Sequence, residues 1–162
     1  MIRQLIRLLI AVVLVGITHS LSAGERWETL QAIHLIENPT NSARPGAHGE
    51  LGAYQFRRST WQMHTSKPFR YALIRKHADE VAVEHYEWLC VQLRRKGIAP
   101  TPYNIAMAWN AGIGAVTSGR IPRVSRSYAK RVVAIVDQLQ ESQVAMSLPQ
   151  RAPMLSPIII VP

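Results

Sequence analysis

Residues 25–55 read ERWETLQAIHLIENPTNSARPGAHGELGAYQ, and a change of pattern inside this stretch decides how the chain folds. In its first part Trp27, Leu30, Ile33 and Ile36 recur three apart, the spacing of one face of an α-helix. Asn38-Pro39 then stops the helix, because proline has no amide hydrogen and disfavours helical backbone in the residue before it. Residues 38–54 carry Pro39, Pro45, Gly46, Gly49 and Gly52 and read as loop throughout. Glu37 therefore sits on the last turn of a helix, with its side chain at the mouth of a Gly-rich loop.

That position has a chemical consequence. The partial negative charge at a helix C-terminus and burial beside Ile36 both disfavour a carboxylate, so both raise the pKa. A carboxylic acid that keeps its proton can protonate a departing oxygen, which is what cleaving a glycosidic bond requires. A lone Glu at a helix end otherwise reads as solvated surface. The residues around it decide between the two.

Further along, Ser59-Thr60-Trp61-Gln62 has the form of a capping box opening a short helix. Residues 78–96 make the longest amphipathic pattern, with Val81, Ala82, Tyr86, Trp88, Leu89 and Leu93 on one side, and Gly97 closes it. Thr101-Pro102 supplies an N-cap followed by proline at the first helical position, opening PYNIAMAWNAG, and Gly112 and Gly114 end that helix. A last helix is expected over 126–141 on Tyr128, Val132, Ile135, Val136 and Leu139. No period-two strand signal of any length appears. The fold class is all-α, with room for a small α+β variant.

The 162 residues fit one domain with short appendages. Arg3 and Arg7, then an apolar run from Leu8 to Ile17, then small residues at Ser20, Ser22 and Ala23 have the order of a secretory signal. The apolar run is short for a membrane span, and a retained N-terminal anchor is the alternative. The expected organisation is a signal peptide at 1–23, a domain at 24–143 and a Pro-rich tail at 144–162. Export to the periplasm or cell envelope follows. The formal charge is +9, two fewer without Arg3 and Arg7, and such a surface suits a polyanion. For an exported chain an anionic cell wall is the accessible one, and no nucleic-acid partner is expected. Cys90 is the only cysteine, which excludes an intramolecular disulfide, and it reads as a packing residue. The six His residues show no HExxH or other ligand spacing, so no metal site is inferred.

Three motifs carry the remaining information. Gly49-x-x-Gly52-x-x-Gln55 resembles the GAxGLMQ segment of the soluble lytic transglycosylases, and the Glu37-to-Gln55 spacing is similar to theirs. The run GAYQFRRSTW also resembles a segment of the resuscitation-promoting factors, which share a lysozyme-like core. Residues 108–116, AWNAGIGAV, are similar to the family's AYNAGxGxV, and Ser127-Tyr128-Ala129-x-x-Val132 resembles its TxxYVxxV. Together they span about 25–140. Asn38 stands where the family has Ser, Ala53-Tyr54 where it has Leu-Met, and Glu50 where it has a small residue.

The resemblance implies a lysozyme-like fold and a lytic transglycosylase that cuts the β-1,4 bond between N-acetylmuramic acid and N-acetylglucosamine in peptidoglycan glycan strands. Glu37 is the implied catalytic acid, and neither metal nor cofactor is implied. Gln55, Tyr54, Asn110, Trp109 and Tyr128 are the expected substrate-binding residues. Gln55 and Asn110 can donate and accept hydrogen bonds to hydroxyl and acetamido groups, although Asn110 reads equally as a helix cap and Trp109 equally as core. Gly49 and Gly52 are expected to let backbone approach the sugar and to permit positive φ. Glu50 is a possible second carboxylate, which a hydrolytic goose-type or phage-type lysozyme would use to activate water. A non-catalytic peptidoglycan-binding protein is the other alternative. The small size also suits local wall opening for a secretion or conjugation apparatus.

Overall fold

The computed structural model describes residues 25–147. The expected signal segment at 1–23 and the tail beyond Ser147 lie outside these described residues. The periodic segments fold as helices. Helix α1 spans 25–37 and ends where the Asn38 amide donates to the His34 carbonyl at 3.0 Å. Leu30 and Ile33 are buried and Ile36 is half-buried, as their spacing predicts, but Trp27 is 54% exposed. In its place Glu28 and Thr29 turn inward, and Gln140 donates to the Glu28 carboxylate at 3.1 Å.

Helix α2 covers Arg58–His64, with Arg57 as its N-cap and no side-chain cap. The expected capping box does not form, because the helix starts two residues too early for Ser59 to act as its cap. After a 3-10 turn at Phe69–Leu73, α3 covers Arg75–Arg95. Its buried residues are Ala78, Val81, Ala82, His85, Tyr86, Leu89, Cys90 and Leu93, three or four apart, which is the stripe that a core-facing helix presents. Gly97 follows at φ 69°.

Helix α4, Pro102–Ala111, begins as its sequence predicts, with the Thr101 side chain accepting from the Asn104 amide and proline at the first position. Ile105, Ala106, Met107 and Ala108 are buried in succession, so the middle turn of α4 is covered on every side and lies in the core of the domain. Gly112 ends it at φ 82°, and α5, Ile113–Thr117, follows at once. Gly114 lies inside α5 and ends nothing.

Helix α6 covers Arg123–Ser147 and packs along α4 more extensively than α3 or α5 does. It is longer than the expected 126–141. Pro122 supplies the carbonyl that receives the Ser125 and Arg126 amides, and no Gly or Pro interrupts the chain before Pro149. The boundary expected at 144 thus falls within a helix.

The core holds Leu30, Ile33, Trp61, Leu89, Leu93, Ile105 and Val132, all at 2% exposure or less. Each such side chain contributes about 1.5–3 kcal/mol by leaving water. Among the described residues the extended backbone pairs only at an isolated antiparallel bridge between Leu51 and Phe56. No helix among these residues is long and apolar enough to cross a membrane.

Candidate active site

The Gly-rich loop is held by the residue that follows Glu37. Asn38 is buried, and its side-chain amide donates to the carbonyls of Ser42 and Gly52 at 2.9 and 3.1 Å while its oxygen accepts from the Ser42 amide at 2.9 Å. One side chain thereby ties the start of the loop to its far end, 14 residues on. A serine has neither the reach nor the second donor to do this. His34 adds a contact from α1 to the Ala53 carbonyl at 3.2 Å.

The Leu51–Phe56 bridge closes a tight turn over residues 52–55, with Gly52 at φ 78° and Gln55 at φ 46°. Gly52 is required there by its own chain, because a Cβ would lie 1.8 Å from the Ala72 carbonyl oxygen. The close approach expected between Gly52 and a sugar is instead an approach to the 3-10 turn. Gly49, at φ 79°, has open space around it. At Gly46 a Cβ would lie 2.6 Å from both Gln55 Oε1 and Glu50 Oε2, so its missing side chain makes room for these two polar groups.

Between this loop, α2, α3 and α4 lies a cleft of about 490 Å³ lined by Glu37, Glu50, Gln55, His85, Trp109 and Asn110, among others. A second cavity of about 440 Å³, lined by Glu37, Asn110, Tyr128 and Arg131 with Ile36, Val124 and Ser127, lies toward α6. Glu37 and Asn110 belong to both. They sit where the two lobes meet.

The Glu37 carboxyl is raised above its ordinary value of 4.5, chiefly by burial. The Tyr128 hydroxyl and the Arg131 charge oppose this, and the Glu50 charge adds to it. Tyr128 itself is buried, and its hydroxyl makes no hydrogen bond of proper distance and angle. It nevertheless lies near enough to Glu37 that burial and the neighbouring carboxylate push the phenol far up. The contact is loose, and strict geometry leaves this hydroxyl unsatisfied.

Glu50 behaves in the opposite way. Its partial burial would raise the pKa, but the His48 and Glu50 amides and the charges of His48 and Arg57 bring it below 4.5. Its oxygens accept from the His48 amide at 2.9 Å and from Arg57 Nε at 3.3 Å. One carboxyl in this cleft thus holds its proton to higher pH than usual and the other loses its proton at lower pH than usual.

No protein-family model, curated protein or solved structure matches this chain.

Of the residues singled out from the sequence, Glu37, Glu50, Tyr54, Gln55, Trp109 and Asn110 line the first lobe and Tyr128 the second. Their environments differ. Asn110 is exposed, its side chain bonds to no described residue, and the helix cap is Gly112. Trp109 is half-buried, with its ring 5.7 Å from Phe56 and 6.0 Å from Tyr54. Gln55 uses one amide hydrogen on the Gly52 carbonyl at 3.0 Å. Tyr54 departs from its expected substrate-binding place. It is 1% exposed, and its hydroxyl donates to Asp79 at 2.7 Å, which also accepts from Arg75 at 2.7 Å. Its ring forms floor under the cleft, and its polar end faces away.

Sequence reasoning missed His85. It is buried on the core stripe of α3 yet lines the cleft, and its helical spacing is that of any packing residue. Asn38 was also missed as a clamp. The signal available was its place immediately after the helix-end Glu.

Proposed function

We propose that this chain is a lysozyme-like lytic transglycosylase that cleaves peptidoglycan glycan strands between N-acetylmuramic acid and N-acetylglucosamine, acting in the periplasm or cell envelope after export. The observation that carries this reading is Glu37, a carboxyl whose pKa is raised by burial at the junction of two cavities, with the unsatisfied Tyr128 hydroxyl beside it. A glycan strand laid through both lobes would bring a glycosidic oxygen to that junction.

In this mechanism Glu37 gives its proton to the leaving oxygen as the glycosidic bond breaks. The substrate's own acetamido oxygen bonds to the anomeric carbon and takes up the developing positive charge, one of the substrate-assisted exceptions to the two-carboxylate rule. The Glu37 carboxylate then removes the C6 hydroxyl proton, and that oxygen displaces the acetamido oxygen to close a 1,6-anhydro ring. Glu37 ends protonated, as it began. Asn110 and Gln55 are placed to bond hydroxyl or acetamido groups on either side, and Trp109 offers an apolar face to a sugar ring.

A second reading has one observation in its favour. Glu37 and Glu50 are pushed in opposite directions, the pattern by which paired carboxylates divide acid and base roles. In a hydrolytic lysozyme Glu50 would activate water. Purified sacculi incubated with the protein, followed by mass spectrometry, separate the readings. Transglycosylation releases 1,6-anhydromuropeptides, hydrolysis releases products heavier by one water, and a binding protein releases neither. Glu37→Gln keeps the side-chain shape but removes the transferable proton. It should abolish release, with a loss at or above about 10⁴-fold because both proton transfers use this residue. Release at near wild-type rate would overturn the assignment.

A further inference from the structure

One wall of the cleft contains an imidazole that the proposed chemistry leaves without a task. His85 is 8% exposed and belongs to the buried stripe of α3. Its ring stacks on Trp88 at 5.7 Å and 14°, and meets Trp109 edge-on at 4.9 Å and 66°. A phenylalanine or leucine would pack such a position without bringing two polar nitrogens out of water, which costs free energy unless each finds a partner.

One nitrogen has its partner. His85 Nδ1 lies 2.9 Å from His64 Nε2 on α2, so one ring donates to the other and the orientation of both is set. His85 Nε2 bonds to no described residue, and it is not among the buried atoms left unsatisfied. It therefore reaches solvent, and the cleft is the opening that His85 lines. Thr60, on α2, lines the same cleft. A fixed polar nitrogen next to the half-buried Trp109, in a cleft that also holds a hydroxyl, makes the combination that sugars occupy, in which the ring faces an aromatic and its polar substituents meet directed hydrogen bonds.

We propose that His85, oriented by His64, is the polar contact of a sugar subsite against Trp109, separate from the Glu37 junction, and that it bonds a hydroxyl or acetamido group of an N-acetylated hexosamine. This rests on the glycan-cleaving reading and adds to it a wall that fixes where along the strand the enzyme grips. Burial, with the neighbouring His64, holds the His85 ring neutral by pushing its pKa down to about 3. A neutral ring suits an uncharged sugar group. His85 donates or accepts according to which nitrogen of the pair carries the shared proton.

The test uses the full chain carrying Glu37→Gln, to stop turnover, titrated with the tetramer of N-acetylglucosamine. The His85 imidazole nitrogens are followed by long-range proton–nitrogen correlation, with His77, which does not line the cleft, as the internal control. The Nε2 signal of His85 should move along the same saturation curve that calorimetry gives, and that of His77 should stay. His85→Phe, which keeps the stacking, should weaken tetramer binding by about fivefold, as loss of one hydrogen bond predicts. If that variant fails to fold, the imidazole shifts in the protein with both histidines intact still decide the matter. Tetramer binding with a silent His85 ring, or with unchanged affinity in a folded His85→Phe, overturns this subsite alone. A protein that neither binds the tetramer nor cleaves sacculi overturns the functional reading and the subsite with it.

Discussion

Among the buried side-chain polar atoms of the described residues, only the Tyr128 hydroxyl lacks a hydrogen bond. Leaving a buried donor unpaired costs about 1–3 kcal/mol, and a phenylalanine ring would fill the same space. Tyr128→Phe should therefore leave stability unchanged or raise it by about 1 kcal/mol, read as a rise in thermal midpoint. If the hydroxyl supports Glu37 or the substrate during cleavage, release of muropeptides should fall about 10- to 100-fold, the worth of a hydrogen bond to a charged group. A variant that loses stability and keeps activity would show that the hydroxyl is satisfied in solution. Glu37 and Tyr128 were legible because a helix end, a loop and a sequence motif all mark them. His85 was not, because α3 spaces it like its apolar neighbours and nothing local says that one ring edge meets a cavity.

Loop 38–54 depends on two glycines with the same backbone and different surroundings. Gly52→Ala places a methyl 1.8 Å from the Ala72 carbonyl oxygen at φ 78°, a clash with backbone that cannot move aside cheaply. It should cost about 3 kcal/mol or more. Gly49→Ala meets no atom within 4 Å at φ 79° and should cost only the left-handed penalty of about 1–2 kcal/mol. Urea unfolding of both variants checks the difference, and equal costs would mean that the 3-10 turn yields. Sequence could say that both positions want glycine, since the spacing and loop composition show it. It could not say which one is packed, because Ala72 is 20 positions away and its 3-10 turn carries no strong local signature. The unformed capping box on α2 teaches the same lesson in reverse. Ser59 has the right spacing, but the helix already begins at Arg58, where no neighbouring residue in the sequence signals a start.

Taken as a whole, the molecule carries opposing acid-base liabilities around one cleft. Glu37 has a raised pKa in the fold, so its burial is harmless below 4.5, where it is protonated in both states. It becomes destabilising as pH climbs through the folded value. Glu37→Gln should therefore gain thermal stability over the wild type at neutral pH, and the gain should vanish below about pH 4. Wild-type activity should fall along the same upper limb, as the acid loses its proton. His85 runs the other way. The unfolded chain takes up a proton near 6.5 and the fold resists until about 3, so stability drops as pH falls between these values. At pH 5 this term reaches about 2 kcal/mol, and a folded His85→Phe should lose that slope. Thermal midpoints measured from pH 4 to 8 on the wild type and both variants test each sign. Overlapping curves would mean that neither group is buried as described. Helix content at this scale was readable from periodicity. The cleft was readable in part: the motifs placed Glu37, Asn110 and Tyr128 around it, but the wall supplied by α2 and α3 comes from distant segments that carry no local signature.

The chain's one cysteine gives the domain a built-in clock. Cys90 is 3% exposed and its thiol is pushed up to about 11, first by burial, so in the closed domain it is neither reachable nor in its nucleophilic form. Any alkylating reagent that marks it has caught α3 lifted from its neighbours. The rate of marking is thus a direct count of openings, and a covalent dimer through this sulfur can arise only between two molecules that have both come apart. In an oxidising buffer, a stock of disulfide-linked dimers would be a record of how often the fold had failed.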